Sequence, residues 1–202
     1  MKEKISKHPF KPFIPENATK LIIGTIPPYR FCVDSEKLKE DDVNFYYGSK
    51  DNEFWSLVYK SVYGSTEGLI TKNTAEAIEQ RKKTLEELGM GITDVIESCY
   101  HLDGNSDDSS LKTIKQKDIR ALLRNNERID TLIYTSYFVK TQMNTICDKS
   151  YHSLADKEER KWKATINGKE YTVFLLYSPS PNALRGVDEE TRSKQYCSIF
   201  HK

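Results

Sequence analysis

Apolar positions along this chain switch between the spacing of buried strands and that of helices. Lys20–Ile26 is a short apolar run bounded by turn residues, which predicts a buried strand. Phe54–Tyr63 places Phe54, Trp55, Leu57, Val58, Tyr59 and Val62 at helical spacing, as a helix packed on a sheet requires. Asn73, with Glu76 three residues later, predicts a capped helix that runs to Leu88 and is stopped by Gly89. Gly91–Ser98 reads as a second strand. Leu111–Arg124 reads as a helix, on Leu111, Ile114, Ile119, Leu122 and Leu123. Ile129–Thr135 is a third strand, rich in β-branched and aromatic residues, and a long helix is expected over Tyr137–Asp156. Asn167-Gly168 then separates Lys163–Ile166 from Glu170–Ser178, the signature of a hairpin with a type I′ turn. Asp188, Glu189 and Glu190 open a C-terminal helix, where negative charge suits the positive end of the helix dipole. The sum is an α/β chain: a mostly parallel sheet with helices on both faces.

The length of 202 residues suits one domain with a substantial core. No repeat or interdomain linker divides it, so residues 1–19 form an N-terminal basic arm and 20–202 a single domain. Lys2, Lys4, Lys7 and Lys11 lie on that arm, which is expected to be solvated and partly mobile; it lacks the apolar core of a signal peptide, so the chain reads as mature cytoplasmic sequence. No apolar run approaches the roughly 20 residues of a membrane span. A net charge of +1 gives no global signal for nucleic acid, so any basic DNA-facing surface must be local. Cys32, Cys99, Cys147 and Cys197 form no C-x-x-C pair, which argues against zinc, an iron–sulfur cluster or disulfides. His8, His101, His152 and His201 are equally scattered and show no helical metal-site spacing.

Two proline-containing segments close apolar strands at opposite ends of the chain: Leu21 to Pro28, and Phe174 to Ala183. In a parallel sheet the carboxyl ends of the strands share the rim where ligands bind, so both segments could line one pocket. Gly24 permits close backbone approach, and Pro27 and Pro28 stiffen the loop without donating hydrogen bonds. The bland reading of this segment is an ordinary strand exit. The late prolines make a rigid ridge with Asn182, Leu184 and Arg185 at its tip, suited to a nucleic-acid groove; a plain turn into the last helix explains them equally well. Between the two lies Asn44 to Trp55. Aromatic faces can stack on an extruded base and amides can read its edge. Phe54 and Trp55 belong to the core face of the following helix, whereas Tyr47 and Asn52 are better site candidates.

Together these segments resemble the uracil-DNA glycosylase superfamily, and most of all its hypoxanthine-DNA glycosylase-like branch. That branch has a G-x-x-P-G loop after the first strand, a Tyr-Tyr…Asn-x-Phe-Trp block, and a late Ser-Pro segment ending Asn-Ala. The counterparts are Gly24-Thr25-Ile26-Pro27-Pro28, Tyr46-Tyr47…Asn52-Glu53-Phe54-Trp55, and Ser178-Pro179-Ser180-Pro181-Asn182-Ala183. Asp94 to Cys99 and Gly104 to Asp107 also resemble that branch, so the similarity spans about residues 20 to 186.

The resemblance implies a three-layer α/β/α sandwich and a monofunctional DNA glycosylase of base-excision repair, which hydrolyses the N-glycosidic bond of uracil or hypoxanthine. Water would be the nucleophile, with no cofactor and no metal. It further implies that Tyr47 stacks on the flipped base and that Gly24, Thr25, Ile26 and Pro27 line the pocket. Asn52 would orient the water or the base, with Ser178 helping the leaving group. Ser180, Asn182, Leu184 and Arg185 would press the DNA. The partner is DNA containing a deaminated base, the protein a monomer. The chain departs from the superfamily at three positions. Ile26 stands where many members carry Asp, Asn or Glu; Ser178 stands where many carry His or Asn; and Pro28 replaces a Gly. The alternative is a catalytically weak or inactive member that binds nucleic acid or a nucleobase-containing ligand. An unrelated α/β hydrolase lacks support, because no G-x-S-x-G elbow is present.

Overall fold

The computed structural model describes residues 5–33, 37–101, 111–151, 160–180 and 186–201. Its strands are β1 (Ile5–Lys7), β2 (Lys20–Gly24), β3 (Met90–Asp94), β4 (Ile96–His101), β5 (Leu111–Gln116), β6 (Thr131–Tyr134), β7 (Lys149–Tyr151), β8 (Lys161–Ile166) and β9 (Lys169–Leu175). Its helices are α1 (Tyr29–Val33), α2 (Phe54–Tyr63), α3 (Ala75–Glu87), α4 (Ile119–Arg124), α5 (Tyr137–Asn144) and α6 (Glu189–Ile199). Six strands form the central sheet in the order β3-β2-β6-β9-β8-β7. The first four run parallel, and β8 and β7 complete the sheet by antiparallel pairing. The expected α/β class with a mostly parallel sheet is what the chain adopts.

Strand periodicity divides the core into two layers. Leu21 and Ile23 of β2, Leu132 and Tyr134 of β6, and Val173 and Leu175 of β9 point to one face, with Ile119, Leu123, Val139 and Met143 from α4 and α5. Ile22, Ile133 and Ile92 point to the other, with Phe54, Trp55, Leu85 and Tyr196 from α2, α3 and α6. Burial on both faces explains why β2 and β6 read as continuous apolar runs.

Several expected elements differ. Gly91–Ser98 is two strands rather than one: β3 belongs to the central sheet, and after Val95 the chain enters β4 of a separate antiparallel sheet ordered β1-β4-β5. The break occurs where Val95 and Ile96 donate their N–H groups to the Gly24 and Thr25 carbonyls, at 2.8 and 3.1 Å. Leu111–Gln116 pairs with β4 instead of forming a helix. The helix begins only at Ile119, where Asp118 caps it by accepting from Ala121 N–H at 2.8 Å. The helix expected over Tyr137–Asp156 stops at Asn144, because Asp148 onward is drawn onto the edge of β8; residues 152–159 lie outside the described residues. Helix α3 is capped by Thr74, not Asn73, whose Oδ1 instead accepts from Asn44 N–H. The N-terminal segment is not a free arm from Ile5 onward: β1 pairs with β4, and the side chain of His8 is buried. The Asn167-Gly168 turn forms as expected, with both residues at positive φ, 54° and 75°.

The loop from Asp42 to Asn52 is held by one buried carboxylate. Asp42 accepts from Arg30 Nε and Nη2 at 2.7 and 2.8 Å, and from the Lys39 and Lys50 N–H groups at 2.8 and 3.0 Å. Burial pushes the Asp42 carboxyl up, but these hydrogen bonds and the Arg30 charge outweigh it and hold the group below the ordinary carboxylate range. The folded state therefore favours the charged form. Its contribution is present above the unfolded value of about 3.9 and is lost as pH falls through the lower folded value. Asp42→Asn is expected to lower the unfolding free energy at pH 7 by about 1–3 kcal/mol, with the gap narrowing below about pH 3. Urea denaturation of both proteins across that range checks this; equal stability at pH 7 contradicts it.

Candidate functional site

The parallel register sets the carboxyl ends of β3, β2, β6 and β9 side by side. Gly24 is the register partner of Asp94, Ile23 of Tyr134, and Tyr134 of Leu175. The rim therefore carries Asp94, the loop from Gly24 to Pro28, Thr135, and the segment from Leu176 to Ser180. The two proline segments meet on this shared rim.

Tyr47 crosses above it. Its backbone is left-handed, at φ 54°, a conformation costing about 1 kcal/mol or more for a non-glycine residue. One face of its ring stacks on Phe54, with centroids 4.3 Å apart. Its hydroxyl donates to Thr135 Oγ1 at 2.7 Å, and Thr135 Oγ1 donates to the Ile23 carbonyl at 3.2 Å. Gly24 is required beneath it. A Cβ there would collide with both Asp94 Oδ1 and the Tyr47 hydroxyl, so these two oxygens converge on a single point over the Gly24 backbone.

The rest of the first loop is largely backbone scaffold. Thr25 and Pro27 are buried, and Ile26 packs against the face carrying Leu21 and Ile23. Pro28 offers its carbonyl to Phe31 N–H at 2.8 Å, at the start of α1. Asn52 Oδ1 accepts from Phe54 N–H at 2.9 Å, which satisfies one of the orphan donors at the start of α2 and leaves the Nδ2 amide as its polar edge. Glu53 N–H donates to the Pro179 carbonyl at 3.0 Å, tying the Asn52 block to the late segment. Helix α6 pins that segment from behind: Gln195 Oε1 accepts from Tyr177 N–H at 2.7 Å, and the Tyr196 hydroxyl donates to the Tyr177 carbonyl at 3.1 Å. Ser178 is half-buried, and its Oγ accepts from Ser180 N–H at 3.2 Å. Asn182, Leu184 and Arg185 lie outside the described residues.

Two further residues at the rim, His8 and Asp94, were not among the site candidates, although Asp94 opens a segment that carries the resemblance. His8 Nε2 and Asp94 Oδ2 are 2.7 Å apart, with side chains 1% and 5% exposed. Their surroundings register the carboxylate. Burial, then Asp94, pushes the Tyr46 phenol up, while burial, Cys99 and Asp94 push the Cys32 thiol up to about 12. Burial lowers Lys117 against the opposing pull of Asp94 and Glu97. An acidic residue closing the apolar GITD run was a usable signal for Asp94. His8 had none, because only the β1–β4 pairing brings it in.

A cleft of about 480 Å³ is lined in part by the Tyr47 loop. Tyr47, Lys50, Asn52, Trp55, Ser56 and Arg81 are among its lining residues, whereas Gly24 to Pro27 and Ser178 are not. Tyr47 thus belongs to both the rim and the cleft. Among the described residues, no group of three or more His, Cys, Asp or Glu is placed to hold a metal ion, and no helix is long and apolar enough to cross a membrane.

No protein-family model and no curated protein sequence matches the chain. Among solved structures it is similar to the solution NMR structure of a "putative Uracil DNA glycosylase" from Methanosarcina acetivorans. Identity is 19%, the match covers 98% of this chain and 97% of the other, and the TM-score is 0.63. At this identity the likeness is one of architecture: the chain has a uracil-DNA-glycosylase-like α/β fold.

Proposed function

We propose that this protein is a monofunctional DNA glycosylase that hydrolyses the N-glycosidic bond of a deaminated base, uracil or hypoxanthine, acting as a cytoplasmic monomer without a cofactor. The observation that carries the reading is the meeting of three sequence segments at one rim: Gly24 under the Tyr47 hydroxyl, and the Asn52 block bonded through Glu53 to Pro179. A base extruded from DNA would enter between the Tyr47 loop and the late segment. Extrusion costs a few kcal/mol and is cheapest for weakly paired lesions, which favours deaminated bases in mismatches. Tyr47 packs against the base, the Asn52 amide orients the base or the water, and the Ser178 hydroxyl faces the departing base. Ser180, Asn182, Leu184 and Arg185 press the DNA. The order of the Tyr46-Tyr47, Asn52 and Ser178–Ala183 elements supports the hypoxanthine-DNA glycosylase-like branch.

A second reading, binding without cleavage, is favoured by one specific observation. Asn52 Oδ1 and Ser178 Oγ both accept bonds from neighbouring backbone N–H groups, and Ile26 supplies no polar group. Incubating the purified protein with uracil-, hypoxanthine- and xanthine-containing oligonucleotides, single-stranded and mismatched, followed by alkaline scission, separates the two. Release of uracil or hypoxanthine is expected; salt-dependent DNA binding without release selects the second reading.

On the best substrate of that panel, Tyr47→Ala is expected to lose stacking of about 1–3 kcal/mol, a roughly ten- to hundredfold fall in base release. Asn52→Ala is expected to lose about a hundredfold, the usual effect of removing one oriented polar group. Undiminished turnover in either variant removes that residue from the site.

A further inference from the structure

We propose that Asp94 is the catalytic carboxylate of this site and that His8 is its positioning residue. This assignment rests on the glycosylase reading above. Breaking an N-glycosidic bond by water places positive charge on the sugar, in an oxocarbenium-like transition state, and the water must lose a proton. A fixed anion at the rim serves both needs, and the loop after β2 offers none, since its candidate position is Ile26. The adjacent strand does offer one. Asp94 ends β3 directly opposite Gly24, and its Oδ1 reaches the point above the Gly24 backbone that the Tyr47 hydroxyl also approaches.

The two carboxylate oxygens have separate tasks. His8 Nε2 anchors Oδ2 at 2.7 Å, so Oδ1 is the oxygen that faces Gly24 and the Tyr47 hydroxyl. His8 can donate to Asp94 in either protonation state. Its Nδ1 lies 3.0 Å from the Phe10 N–H and 2.9 Å from the Phe10 carbonyl, so it can accept from the first when neutral and donate to the second when charged. The backbone holds this ring in place: β1 pairs with β4, and His8 N–H donates to the Glu97 carbonyl at 2.8 Å. The geometry is that of a base oriented by a second group. The surrounding groups are Tyr46 and Tyr47 from the aromatic loop, Cys32 from α1 and Lys117 ahead of α4. Of these, Lys117 supplies a positive charge near the buried carboxylate.

In the reaction, the water oxygen bonds to C1′ and the C1′–N bond breaks, its electron pair leaving with the base. The water proton passes to Asp94 Oδ1 and from there to solvent, and the base anion takes up a proton. The sum is DNA plus water giving free base and an abasic site.

The test compares wild type, Asp94→Asn, His8→Ala and His8→Gln for kcat and KM of base release, for binding to a duplex carrying a tetrahydrofuran abasic analogue, and for Tm. Asp94→Asn is expected to lower kcat by about 10²–10³-fold with KM and abasic-duplex binding little changed. His8→Ala is expected to lower kcat by about tenfold or more, and His8→Gln to recover most of it, because its amide can donate to Oδ2. Asp94→Asn with kcat near wild type overturns the proposal. So does a kcat loss that merely tracks falling Tm and binding, or a His8→Gln no better than His8→Ala. A wild-type protein that releases no base refutes the glycosylase reading and this role with it, whereas active wild type beside active Asp94→Asn refutes this role alone.

Discussion

The parallel pairing of β2 with β3 on one side and β6 on the other governs the rest of the molecule. It makes β2 an interior strand covered on both faces by helices, so Leu21, Ile22 and Ile23 are all apolar and fully buried. It also ends all four parallel strands at one rim, where polar side chains can emerge without crossing the core. Gly24 is the point at which polar side chains from two elements meet over this rim. Its missing side chain lets a carboxylate from β3 and a phenol from the loop ahead of α2 occupy the space a Cβ would fill. A larger residue would push both away, and the rim would lose its shape without any change in topology.

That rim is built by contacts between separate segments of the chain. The Tyr47 loop needs Asp42, which gathers the Arg30 guanidinium and two backbone N–H groups into one buried cluster. It also needs Gly48, where a Cβ would strike the Val43 carbonyl. Held this way, Tyr47 tolerates a left-handed backbone and places its hydroxyl on Thr135. Strain retained next to converging polar atoms is the expected mark of a functional position rather than of a stabilising one. The late segment is fixed by different means, through Gln195 and Tyr196 of α6 and the Glu53–Pro179 bond. Loop, strand and C-terminal helix thus converge with little shared local sequence.

Local chemistry explains which parts were legible in the sequence. Helix Phe54–Tyr63 announced itself through its apolar stripe, and the Asn167-Gly168 turn through two residues that accept positive φ. The closeness of Gly24 and Tyr47 was foreshadowed only by the resemblance, since a glycine at a strand exit and an aromatic in a loop each have an ordinary structural reading. Leu111–Gln116 reads as helix because Leu111 and Ile114 stand three apart; in the strand they fall on opposite faces, with Ile114 exposed, and pairing with β4 overrides the spacing. The split of Gly91–Ser98 was hidden for the same reason: Val95 is apolar, and its bond to the Gly24 carbonyl is a tertiary event. His8 was the least legible residue of all. Nothing in a lysine-rich leading segment distinguishes a solvated arm from a strand that delivers a buried imidazole 86 residues along the chain to Asp94.

The proposed ligand site lies at the carboxyl rim of the parallel strands, with Tyr47 as its wall. Amide chemical-shift mapping tests it most directly, by titrating labelled protein with a duplex carrying a tetrahydrofuran abasic analogue in the presence of free uracil or hypoxanthine. The largest shifts are expected on Gly24, Thr25, Tyr47, Asp94, Thr135 and Ser178. Shifts confined to the far wall of the neighbouring cleft, at Leu69, Thr71 and Arg81, would contradict it.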